Sequence, residues 1–165
     1  LLSSMRIVIR IQKEKSKMKL FLVILVVVSR TYAEEEWRPK NAAEVNVIRQ
    51  ECLKDFPLSE EELQKVKNFE YSDEEPARKV LLCTVKKLGV FCERDGYNVD
   101  RVTKQFKMDL DEAEALSIVE GCMDKNLEGS SADVWAYRGH ECVVASKIGE
   151  RVKAYFLKNG EKPKK

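Results

Sequence analysis

Between residues 42 and 157 apolar residues recur every three or four positions, with no strand alternation. That period predicts amphipathic helices. The first spans 42–56, with Val45, Ile48, Cys52 and Phe56 on one face, and ends at Pro57. A second opens at Ser59 with Glu62 at capping-box spacing and carries Leu63, Val66 and Phe69. In the third, Ser72 and Asp73 are candidate caps, Pro76 fits the first turn, and Leu81, Val85 and Leu88 form the stripe before Gly89 stops it. Asp95-Gly96 marks a loop. A short fourth helix, capped by Asp100, buries Val102 and Phe106. The fifth starts with Asp109 and Glu112 at capping-box spacing and turns Leu116, Val119 and Met123 inward. The sixth and longest starts near Ser130 and Asp133 and continues through Val144, Ile148 and Tyr155, with Gly139 and Gly149 as candidate breaks. Six helices joined by short connections predict a compact all-α domain.

Residues 18–33 have a different texture. Lys19 supplies positive charge, 20–28 is an uninterrupted apolar run, and Thr31-Tyr32-Ala33 offers small residues at a cleavage position. This is the form of a secretory signal. The apolar run is shorter than the roughly 20 residues that a bilayer span requires. Residues 1–17, upstream of a serviceable start at Met18, are expected to be an untranslated or disordered leader. The domain expected to fold is therefore 34–165.

Setting the leader aside changes the charge. Residues 1–33, leader and signal together, hold seven of the 30 basic residues and one of the 28 acidic ones, leaving 23 against 27, a net charge of −4. A mildly acidic domain with mixed charges gives no footing for nucleic acid or anionic lipid. An oxidising compartment makes disulfides the first reading of its cysteines, Cys52, Cys83, Cys92, Cys122 and Cys142. The odd count leaves one unpaired or bridging between molecules, and spacing does not choose the pairs.

Catalytic and metal constellations are missing from the sequence. The single histidine, His140, has no second histidine or cysteine pair at ligand spacing, and reads as a surface or helix-contact residue. The carboxylates of 109–114 lack the glycine and spacing of a calcium loop and read as a helix start. No cofactor and no enzymatic activity is expected.

The region around Cys83, the residues 87–91 and 95–102 after it, and the spacing of Cys52, Cys83, Cys122 and Cys142 resemble the insect odorant-binding proteins of the pheromone and general odorant-binding family. The family's usual pattern has six cysteines on six helices. Its second would fall at Lys79 and its fifth at Asp133, so the chain looks like the four-cysteine, minus-C branch. The resemblance implies bridges Cys52–Cys83 and Cys122–Cys142, with Cys92 a free thiol outside the pattern. It also implies that losing the second-to-fifth bridge frees the third helix from the sixth.

A pocket is likewise implied by the resemblance alone. Its expected wall is Val66, Phe69, Leu82, Val85, Leu88, Phe91 and Phe106 from the first half, and Leu116, Val119, Met123, Trp135, Tyr137, Val144, Ile148 and Phe156 from the second. Tyr137 and Tyr155 are the candidate hydrogen-bonding groups. The function implied is a secreted, extracellular carrier of small hydrophobic molecules such as odorants or pheromones, held in an internal cavity. The implied partners are that small molecule and a membrane receptor downstream, without membrane insertion, in a monomer or weak dimer. Two alternatives stay open: a general haemolymph or secretion carrier of fatty acids or hormones, and a secreted protein-interaction module without a pocket.

Overall fold

A computed structural model describes residues 36–159, with side chains as far as Tyr155. The expected leader, the signal segment and the tail beyond 159 lie outside the described residues. Every element below belongs to the unit that begins at Arg38.

Among the described residues seven helices and one small hairpin follow in order: α1 Ala42–Asp55, α2 Glu60–Lys67, α3 Glu75–Lys87, β1 Phe91–Cys92, β2 Gly96–Tyr97, α4 Val99–Phe106, α5 Glu112–Cys122, α6 Ala132–Val144 and α7 Lys147–Asn159. Asn41 caps α1 in a full capping box, its side chain accepting from the Glu44 N–H while Glu44 accepts from the Asn41 N–H. Ser59 caps α2 as expected. Elsewhere the caps move. Asn98 rather than Asp100 caps α4, and Asp111 rather than Asp109 caps α5. Near α3 the Asp73 carboxylate turns to Arg78 instead of capping. In α4 and α5 a short polar side chain two residues away already reaches the orphan N–H groups, whereas at the start of α3 Glu74 makes no side-chain cap.

Two expectations about the elements are corrected. The loop at Asp95-Gly96 closes an antiparallel ladder that pairs Phe91 with Tyr97 and Cys92 with Gly96. Gly96 has φ +76°, and any side chain there would strike the Trp135 ring. The sixth helix is two. Its backbone ends at Ala145, where the Ser146 hydroxyl donates to the Val143 carbonyl and accepts from the Ile148 N–H. At Gly149 a Cβ would lie 2.0 Å from the Val144 carbonyl oxygen, so glycine is what lets α7 turn back this closely. The break stands between the two glycines that suggested it.

Disulfides Cys52–Cys83 and Cys122–Cys142 tie α1 to α3 and α5 to α6, the pairs the resemblance implies. Cys92 is free and exposed on the hairpin. Around these staples lies an apolar core that includes Cys52, Val80, Leu81, Val119, Ala136 and Ile148.

The helices α3 and α6 make the most extensive contact between elements among the described residues. On α3, Ala77, Val80, Leu81, Thr84 and Val85 are buried; on α6, Trp135, Ala136, Gly139 and Val143 are. The small residues allow close approach. Beside Lys79, Arg78 pairs with Asp133 at 2.9 Å, with side chains 17% and 15% exposed. An ion pair thus joins the two helices beside the positions that the resemblance assigns to its second and fifth cysteines, and α3 is held against α6 rather than freed.

Burial alone would raise the Asp133 carboxyl, but hydrogen bonds from Ser131 and Arg78 hold it below the usual range. Asp133→Ala should cost about 2 kcal/mol at neutral pH, the worth of a charged hydrogen bond that leaves a half-buried guanidinium behind. A depressed carboxyl contributes above its unfolded pKa and loses that contribution on acidification. The difference from the wild type, read by urea unfolding, should therefore shrink below about pH 4.

Candidate ligand-binding site

Where α6 gives way to α7, a partly open apolar pocket lies against the two helices. A cavity of about 50 Å³ is lined there by Val143, Val144, Gly149, Val152 and Lys153, with His140 from α6, Phe106 from the end of α4 and Phe69 from the end of α2. Apolar walls dominate, and His140 and Lys153 are the lining residues with polar side chains.

Phe69 occupies an unusual backbone position. The N–H of Glu70 donates to the Lys65 carbonyl and that of Phe69 to the Val66 carbonyl. This is a Schellman closure of α2, which puts its C′ residue in the left-handed region. That residue is usually glycine; here it is Phe69, at φ +61°. For a bulky L-residue this costs roughly 1–2 kcal/mol. Its carbonyl lies 3.1 Å from His140 Nε2, so Nε2 carries the proton that is donated. The Phe69 ring lies under the Arg49 guanidinium, 4.3 Å from centroid to Cζ. Tyr71 meets the His140 ring edge-on at 5.1 Å. The helix that carries this corner, α2, buries only Val66 and has no extensive contact with another element.

Burial pushes the His140 imidazole down to about 4, and the positive charges of Arg49 and Lys153 act in the same direction. At neutral pH it is an uncharged donor. Burial raises the Tyr71 hydroxyl, with Arg49 and Thr84 beside it acting the other way. Lys153 pairs with Glu70 at 3.0 Å.

Of the expected wall residues, Phe69, Phe106 and Val144 line this cavity. Others stand elsewhere. Val66, Val85, Leu88, Val119 and Ile148 are buried core. Phe91 and Trp135 form a separate aromatic group with Tyr97, at centroid distances of 4.9 and 5.4 Å from the Phe91 ring. The Trp135 indole donates to the Asp124 carbonyl. Leu82, Leu116, Met123 and Tyr137 are half-buried and Tyr155 is exposed. The Phe156 side chain lies outside the described residues. His140, Val143, Gly149, Val152 and Lys153 were not expected in the wall. Within α7, Val152 lies one turn beyond Ile148 on the same buried face, while Tyr155 is exposed; the break before Lys147 is what sets that face against α6. Two glycines ten residues apart within one long apolar pattern were the signal available.

Cys92 Sγ lies 3.4 Å from the Asp95 carboxylate and accepts from the Asp95 N–H. Among the described residues no cluster of three or more histidine, cysteine or acidic side chains could hold a metal ion. Nor, among them, is any helix long and apolar enough to cross a membrane.

A helical domain stapled by two disulfides is the frame within which the comparison falls. Residues 34–146 match the model of the PBP/GOBP family, and the chain belongs to that family of odorant-binding carrier proteins. It is 29% identical over 136 residues to general odorant-binding protein 99a of Drosophila melanogaster, covering 81% of this chain and 94% of that one. It is 24% identical over 125 residues to odorant-binding protein 22 of Aedes aegypti, covering 76% of this chain and 88% of the other.

Proposed function

We propose that the chain is a secreted, extracellular carrier that takes a small hydrophobic molecule, an odorant, pheromone or similar compound, into the cavity between α6 and α7 and moves it through aqueous fluid. The observation that carries this reading is the apolar cavity itself, in a chain of this family. We also read the chain as a four-cysteine member of the family, with the Arg78–Asp133 ion pair standing near the missing bridge.

The driving force is burial of ligand apolar surface. About 200 Å² removed from water contributes roughly 5 kcal/mol at 25 cal/mol per Å², before the costs of association. The cavity as it stands is small. At about 50 Å³ it is well below the roughly 150 Å³ of an engineered cavity that admits benzene. An odorant-sized ligand therefore selects a more open form. The corner that gives is Phe69, strained and carried on the lightly held α2.

Titration of the oxidised protein with an environment-sensitive apolar fluorophore, followed by displacement with small volatiles, tests the reading. Saturable binding in the range of ~1–10 μM, about 7–8 kcal/mol, with competitive displacement, is expected. No saturable binding by a folded, helical sample would mean that these aromatics are ordinary core, and a protein partner would become the better reading.

A further inference from the structure

Arg49 is buried in α1, 5% exposed, and its Nε and Nη2 atoms have no hydrogen-bond partner among the described residues. A guanidinium does not shed its charge, so burying these two donors unpaired, with only the Phe69 ring and the Tyr71 hydroxyl beside the group, is a standing cost that a bound acceptor removes. The two open donors are the adjacent pair of the planar fork. Nε–H and one Nη2–H point the same way, at the spacing that a carboxylate spans with two parallel hydrogen bonds. What covers the guanidinium is the ring of Phe69, and the same residue lines the cavity.

We propose that Arg49 is the head-group site for a carboxylate-bearing apolar ligand. The carboxylate passes the displaced Phe69 ring to meet Nε and Nη2, while the hydrocarbon tail fills the cavity against Val143, Val144 and Val152. The proposal rests on the carrier reading above and narrows it to amphiphilic acids. A single-acceptor ligand, such as an alcohol, leaves one of the two donors open. The surroundings favour an anion: Lys153 stands at the cavity with Glu70 as its partner, and no acidic side chain is among the cavity-lining residues.

The test compares decanoate with 1-decanol, titrated calorimetrically into the full, oxidised protein and into Arg49→Met at pH 7. Methionine removes the charge at similar volume, a change that buried sites tolerate well. The wild type should bind decanoate at least about tenfold tighter than decanol. Arg49→Met should lose roughly ten- to hundredfold for decanoate, the worth of charged hydrogen bonds, with decanol changed by less than about threefold. Equal affinity for the two ligands in the wild type, or an equal loss of both in the variant, overturns the carboxylate site and leaves the carrier standing. Binding of neither ligand by folded wild type removes both. If the variant does not fold, the Arg49 Nε–H signal of the ¹⁵N-labelled wild type decides. It must move on saturation with decanoate and stay with decanol; a bound carboxylate that leaves it unmoved overturns the proposal.

Discussion

Replacing Cys52 and Cys83 together by alanine is expected to lower the unfolding free energy by about 3–4 kcal/mol. The bridge closes a segment with a sequence separation of 31 residues, and the chain-entropy account assigns that amount to such a loop. Against the roughly 5–15 kcal/mol typical of a domain this is a large fraction. Cys122–Cys142, with a separation of 20, should cost about 0.4 kcal/mol less on entropy alone. The two losses should differ more in binding than in stability. Cys52–Cys83 anchors α1, three residues beyond Arg49 and its contact with Phe69. Cys122–Cys142 anchors the outer side of α6, where Cys142 is exposed. Urea unfolding of the two double variants, paired with probe titrations, checks this. Equal weakening of ligand binding by both would contradict the role given to α1.

Acidification from pH 7 to 4 should weaken the fold by on the order of 2–3 kcal/mol through His140 alone. Its imidazole is neutral in the folded protein down to about pH 4, whereas the unfolded chain takes up the proton near 6.5. Between those values the unfolded state binds more protons, so stability rises with pH and is complete above about 7. The charged groups acting on the ring are Arg49 from α1 and Lys153 from α7, the latter paired with Glu70, and both oppose protonation. Protonation also puts a positive charge on the wall of an apolar cavity and strengthens the donor to Phe69. Both structure and apolar binding should loosen together below pH 5. His140→Gln keeps a donor without a titration, and its unfolding free energy should be nearly flat between pH 4.5 and 7 apart from the carboxylates. A variant as steep as the wild type would place the proton uptake elsewhere.

Much of the helical frame was legible because it rests on a period that burial enforces. Val45 and Cys52, Leu81 and Val85, and Val102 all lie inward as the pattern requires. The bridge pairs were legible only through the family resemblance, since spacing leaves several pairings open. What escaped is the conformation of the cavity corner and the charge buried behind it, for physical reasons that pattern reading does not reach. Phe69 looks like the next member of the Leu63, Val66 stripe, yet it sits past the helix end in a conformation normally given to glycine. Arg49 falls on the apolar face of α1 between Val45 and Cys52, where charge is discounted as a solvated neighbour. Lys79 and Asp133, read as the places of two missing cysteines, pointed to a freed α3. The salt link that holds it involves Arg78, one residue away.

The most direct test of the carrier account is where a ligand sits. We would label the valine methyl groups and aromatic rings of the full, oxidised protein and record intermolecular nuclear Overhauser effects with a saturating small apolar ligand. The account predicts contacts to Val143, Val144 and Val152 and to the rings of Phe69 and Phe106, with the α2 corner shifting most. Saturable binding whose contacts fall only elsewhere, at the Phe91–Trp135 group or on the surface, would contradict it.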